Sequence, residues 1–420
     1  MNRREFVQNA AAVGSLMIVK PETAFSYAAN SRVRWGLLGC GRRGTSVATS
    51  FAKNAGVEIV ALADIFPDQL ATAKQHFDAL NASLHLPAIE GRRTFHGHDA
   101  VKAIADCKDV DAVQISTPPF FHVEHLDIVT AAGKHAYCEK PVGVDIPQTR
   151  HALKIAQREN GKVSMAVGFQ IRSAPPFVEL VRRIHEGQIG KMAQIAAYYN
   201  APPAVMVDRG TPSSDEYRLR NWLLYRNLSG DMLLEQNIHV IDICNWVMGT
   251  HPVAAFAKSS RKVVQNPGNT SDNYEVIFTY PGDVQLSFTS TQFNKNHFFD
   301  VSERFFGSEG LADAPYSGPL QIRGTQPWAW NASTTAVTGQ FAANGDFTDN
   351  LAEADAMKDR DFVQSIVSGE LQNQISAGVE TARSCIMARK SAETGRTVTW
   401  QEIEADTEAY SLSMDLKQFG

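Results

Sequence analysis

The chain has 420 residues, enough for two domains with cores of their own. Its net charge is −5 and its lysines and arginines are scattered, so nothing marks a nucleic-acid surface. No apolar run approaches the roughly 20 residues that cross a bilayer. The five cysteines, at 40, 107, 138, 244 and 385, lack CxxC spacing and read as buried thiols, not as a disulfide framework or a structural zinc site.

Residues 1–30 open on Arg3-Arg4, with Phe6 close behind, then a short, weakly apolar stretch, Pro21 and a small-residue site near Ala28. The pattern resembles a twin-arginine export signal, with Asn2 where Ser or Thr is usual, and predicts a periplasmic protein. No cysteine stands at the cleavage site, which disfavours a lipid anchor.

Residues 31–160 are expected to form a dinucleotide-binding Rossmann domain. An apolar strand ends at Gly39-Cys40-Gly41-Arg42-Arg43-Gly44 and a helical pattern follows, the context that a GxGxxG fingerprint needs. Gly39 makes the tight turn, Gly41 lets backbone approach a pyrophosphate, and Gly44 allows close packing. The helix N-terminus offers unpaired N–H groups to the phosphates. A second strand, VEIVALAD, ends at Asp64, twenty residues past Gly44, where an acid accepts from the adenosine ribose hydroxyls. Asp64-Ile65-Phe66 repels a 2′-phosphate and favours NAD; Arg42 or Arg43 within reach of that phosphate keeps NADP open. Further βα alternation implies a parallel sheet, with Thr117-Pro118 and Glu139-Lys140-Pro141 at strand carboxyl ends, where ligands bind.

The stretch TPPFFHVEHLDIVTAAGKHAYCEKP resembles the signature of the Gfo/Idh/MocA oxidoreductases, named for glucose–fructose oxidoreductase and inositol dehydrogenase. Agreement runs from the Gly39 turn through QIGKM to residues 230–242, and again over SAGVETARSCIMARKSAETGRTVTW. The resemblance implies that residues 161–420 form an α+β substrate and oligomerisation domain with a large open antiparallel sheet, often a homodimer or homotetramer interface. It adds His122 to the cofactor-binding residues and sets Lys140 beside the nicotinamide and substrate, after a cis bond to Pro141.

In SGDMLLEQNIHVIDICNW, residues 229–246, helical steps of about 100° place Glu235 and His239 some 40° apart, with Asp242 close by. By the resemblance, Glu235 and His239 match an Asp-x-x-x-His pair acting near the reacting carbon, the carboxylate here one methylene longer. Asn237 replaces a usual Gly, Gln170 an Asn before Arg172, and Pro119 an Asn after Pro118. The implied chemistry is hydride removal from a carbohydrate carbon. His239 accepts the hydroxyl proton, Glu235 orients the imidazole and Lys140 stabilises the developing alkoxide. Asp242 reads as a buried hydrogen-bonding acid. No further His or Cys cluster argues for a metal at Glu235, His239 and Asp242.

Arg172, Arg220, Asn221, Trp222 and Tyr225 are candidate carbohydrate contacts, since such side chains stack on sugar faces and bind hydroxyls; His297 is a further cleft candidate. Residues 311–350 read as loop. An exported enzyme meets no free nicotinamide pool, so its cofactor is expected to stay tightly bound. Two other readings stand beside a dehydrogenase: a redox-neutral NAD-dependent glycoside hydrolase working through a keto-sugar, and a non-catalytic sugar-binding protein on the same scaffold.

Overall fold

The computed structural model describes residues 32–294, 299–330 and 349–420. The export-signal pattern and His297 lie outside them.

The first sheet is parallel and has six strands: β1 (Arg34–Leu38), β2 (Glu58–Asp64), β3 (Thr94–His96), β4 (Ala112–Ile115), β5 (His135–Cys138) and β6 (Met165–Val167). Helices α1 (Arg42–Asn54), α2 (Pro67–Ser83), α3 (Ala100–Ala105), α4 (His122–Ala131) and α5 (Ile146–Glu159) connect them in turn. Strands such as β4, AVQI, are buried throughout, as a sheet covered on both faces requires. Spatial order is β3-β2-β1-β4-β5-β6. The chain therefore reverses direction across the sheet between β1 and β4, and their carboxyl ends open a crevice there. The sequence boundary at 160/161 shifts: β6 belongs to the parallel sheet.

The second sheet follows α6 (Pro175–His185). It contains β7 (Met192–Asn200), β8 (Ala254–Ser260), β9 (Asn273–Tyr280), β10 (Val284–Thr291), β11 (Asp300–Gly307), β12 (Gly310–Pro315), β13 (Gln321–Gly324), β14 (Trp328–Ala329) and β15 (Val398–Thr399). Its order is β14-β13-β12-β11-β7-β10-β9-β8-β15, antiparallel except where β7 meets β10. The sheet is thus mixed, and residues 311–329, expected to be loop, supply three of its strands. Alternation sets the two faces: Ala255, Ala257, Val276 and Phe278 turn inward, while Phe256 and Ile277 are exposed.

Residues 229–246 are not one helix. α7 (Asp215–Arg220) and the one-turn α8 (Arg226–Ser229) lead to Gly230 and Asp231, both at positive φ. Then α9 (Met232–Glu235) stops, and α10 (Ile238–Met248) starts after a break at Gln236-Asn237. Asn237 is held at the break by the Ser290 hydroxyl, which donates to its Oδ1 at 2.9 Å. Helix α10 is apolar nearly all round and buried, packing on β7, β11 and α12 (Ile375–Thr394). α12 and α11 (Ala354–Ser368) return to the first domain. Phe362 of α11 closes a cluster with Trp35, Phe51 and Tyr137, and α13 (Trp400–Ala405) precedes residues 406–420.

Candidate active site

The glycine turn has the shape its sequence predicts. Gly39 sits at φ +92°, and a Cβ there would lie 2.6 Å from the Ser116 carbonyl. A Cβ on Gly44 would overlap the Gly39 carbonyl oxygen, so helix and turn pack without room for a side chain. Gly41 differs: a Cβ there would meet nothing within 4 Å. The open space lies over the start of α1, where no side chain caps the first N–H groups and no acid stands in the first turn. A diphosphate fits that cradle on charge and on space. Asp64 is buried at the end of β2; Oδ2 accepts the Cys40 N–H at 2.6 Å and Oδ1 the Phe66 N–H at 2.8 Å. Burial raises its pKa against those two bonds. Each oxygen keeps a lone pair for a ribose hydroxyl.

The loops after β4 and β5 form the other wall. His122 ties them together, its Nδ1 at 2.8 Å from the Pro141 carbonyl oxygen and its Nε2 at 2.7 Å from that of Thr117. His122 therefore acts on the cleft by fixing these loops. His125 meets the Thr117 hydroxyl at 3.0 Å and stacks on Phe121, and burial pushes its pKa down to about 3. The Lys140–Pro141 bond is cis. Arg43 Nε donates to Glu139 Oε1 at 3.2 Å, while Arg42 stays exposed; both line the cavity.

Lys140 is the centre of the site. Its Nζ donates to Glu235 Oε1 at 2.8 Å and also to the Glu235 backbone carbonyl, which the end of α9 leaves without a helical partner. The carboxylate expected to orient His239 thus holds Lys140 instead. His239 stands in the same cavity, of about 540 Å³, edge-on to Phe169, and its Nδ1 has no hydrogen-bond partner among the described residues. Burial first, then the cations Lys140 and Arg43, hold its imidazole well below the ordinary 6.5. The neutral imidazole is thereby favoured over the imidazolium. Asp242 lies elsewhere, accepting two bonds from Arg172 at 2.7 and 2.8 Å and one from Thr381 at 2.9 Å. Glu235, His239 and Asp242 do not converge, and no group of three or more His, Cys, Asp or Glu among the described residues could hold a metal ion.

The predicted carbohydrate contacts divide. Trp222 lines the cavity and its narrower extension toward Asp64. Arg220 lines both the cavity and that extension, but lies 3.8 Å over the Phe66 ring and is already paired with Asp68 and Glu216. Asn221 lines the cavity, and its amide anchors the loop before it through Val207 and Tyr217 backbone. Tyr225 is buried, its hydroxyl donating to the Pro212 carbonyl at 3.4 Å, and like Arg172 it is not among the cavity-lining residues. Packing claims these side chains. Among the lining residues not singled out as contacts are Gln170, whose Oε1 has no partner among the described residues, Tyr199 and Tyr316. Tyr199 was legible, since Ile195, Ala197 and Tyr199 alternate inward along β7.

Fold and cleft define a two-domain dinucleotide-binding protein. Residues 33–167 match the oxidoreductase family with an NAD-binding Rossmann fold, and residues 177–313 match the Gfo/Idh/MocA C-terminal domain. The chain belongs to the Gfo/Idh/MocA family of oxidoreductases. It is 28% identical over 291 residues to the inositol 2-dehydrogenase of Rhizobium meliloti (strain 1021), covering 69% of this chain and 78% of that one. Its fold is shared with levoglucosan dehydrogenase in complex with NADH and levoglucosan (TM-score 0.69, 18% identity, 88% of this chain and 99% of that chain). It is also shared with the aldose–aldose oxidoreductase of Caulobacter crescentus complexed with glycerol (TM-score 0.65, 19% identity, 88% and 100%).

Proposed function

We propose that the protein oxidises or reduces a CH–OH group of a sugar, glycoside or cyclic polyol. The observation that carries this is the Lys140–Glu235 pair beside His239 in a cavity that reaches the glycine turn. When bound, the nicotinamide supplies hydride exchange with the substrate carbon. Lys140 donates to the substrate oxygen and stabilises its developing negative charge. The cavity-facing part of the His239 imidazole takes the hydroxyl proton, and Glu235 keeps Lys140 aimed. The relatives named for inositol and levoglucosan support this substrate class. NAD is favoured over NADP because Asp64 and Asp68 flank the adenosine end and Arg220 is already neutralised there.

The test is a screen of inositols, anhydrosugars, aldoses and glycosides for absorbance of reduced nicotinamide. Aglycone release without net reduction would point instead to the glycosidase reading. Binding of sugar with neither signal would point to a binding protein.

Export and oligomerisation belong to the same proposal. Arg3-Arg4 with the apolar stretch behind it supports twin-arginine export with the cofactor retained, and fractionation of cells carrying Arg3→Lys/Arg4→Lys checks it. The exposed Phe256 and Ile277 on the outer sheet face support a homo-oligomer, which light scattering of Ile277→Asp tests.

A further inference from the structure

The adenosine end of the cleft has a wall to which a segment outside both family-matched stretches contributes. Its lining includes Phe66, Phe121, Leu219 and Leu416, and Leu416 lies in residues 411–420, far beyond residue 313. Those residues run as an alternating pattern: Leu412, Met414 and Leu416 pack with Phe419 against Phe66, Phe121 and Leu219, while Ser411, Ser413 and Asp415 are exposed.

The segment crosses the cleft and is tied on both sides. Tyr410 N–H donates to Asp145 of the first domain at 2.8 Å. Asn227 and Asp215 of the second domain then hold it, through the Ser411 carbonyl at 3.0 Å and the Gln418 amide at 2.8 Å. It comes back to the first domain at Phe419, edge-on to Phe66 at 5.5 Å, and at the Gly420 carbonyl, which accepts the His98 N–H at 3.0 Å. No residue from 411 to 420 is fully buried, so the segment can detach without disturbing either core.

We propose that residues 411–420 are a strap that completes the adenosine subsite and sets the rate at which the dinucleotide leaves. The purine lies against the apolar wall of Leu416 and Phe66, and release waits on detachment of the strap from at least one side. This rests on the dinucleotide-binding reading above.

The experiment follows release of NADH from the full chain by its fluorescence after a chase with excess NAD. It compares the unaltered protein, Leu416→Ala/Phe419→Ala, and a chain ending at Tyr410. Release should be about tenfold or more faster in both variants, since changes at one interface fall mainly on dissociation. Hydrogen exchange across 411–420 in the unaltered protein should slow when NADH is added, and this arm decides should a variant fail to fold. Equal release rates, or exchange indifferent to NADH, would overturn the strap. An unaltered protein that takes up no nicotinamide dinucleotide would instead overturn the reading beneath it.

Discussion

Lys140 and Glu235 are 95 positions apart and meet because the loop after β5 and the end of α9 face one another across the cleft. Replacing Lys140 with Met removes the donor to the substrate oxygen, and kcat should fall roughly 10²–10³-fold, with dinucleotide affinity, read by NADH fluorescence, nearly unchanged. For His239 the pH dependence has a definite sign. Burial and two neighbouring cations disfavour the imidazolium, so the unprotonated base persists below 6.5. A profile of kcat/KM should stay level as pH falls through 6.5 and decline only further down; an acid limb centred at or above 6.5 would remove His239 as the base. The residue types of this site were legible in the sequence, but their partners were not. Helical spacing relates Glu235 only to its neighbours along the chain, and the competitor for its carboxylate came from the other domain. The same blindness assigned Tyr225 to the substrate, because an aromatic side chain looks alike in sequence whether its hydroxyl bonds to a ligand or to nearby backbone.

The glycine turn was read correctly because each glycine answers to local geometry: a positive φ at Gly39, a close helix approach at Gly44, open space at Gly41. Two substitutions separate these roles. Gly41→Ala adds a methyl where no protein atom lies within 4 Å, on a backbone at φ −70° that alanine accepts. Stability should stay within about 0.5 kcal/mol while dinucleotide affinity drops, by calorimetric titration. Gly44→Ala forces a Cβ onto the Gly39 carbonyl and should lower the unfolding midpoint as well as binding. The break at Gln236-Asn237 was not legible. A two-residue interruption leaves the apolar spacing of 232–248 almost intact, and the Ser290 hydroxyl that fixes Asn237 comes from a distant strand.

The two domains share more than a cleft. Asp242 on α10 is buried and takes a bidentate pair from Arg172, which stands between β6 and α6 and keeps a third of its side chain in water. Arg172→Met would leave a buried carboxylate without its cation, and urea unfolding should show a loss of about 3 kcal/mol. Class and order of elements were legible across the chain, since βα alternation and inward–outward strand patterns are local signals. Long-range closure was not: the short strands after 310 and the alternating residues 412–416 depend on partners far away in the chain.

Phe362 carries one such closure into the life of the chain. The rings of Trp35, Phe51 and Tyr137 are sealed only when α11 docks, some 300 residues after the first of them is made. A nascent amino-terminal half leaving the ribosome would show an uncovered aromatic surface until nearly all of the polypeptide had emerged. A fragment cut near residue 170 should therefore be sticky and poorly soluble on its own, and adding residues 349–394 as a separate peptide should rescue it.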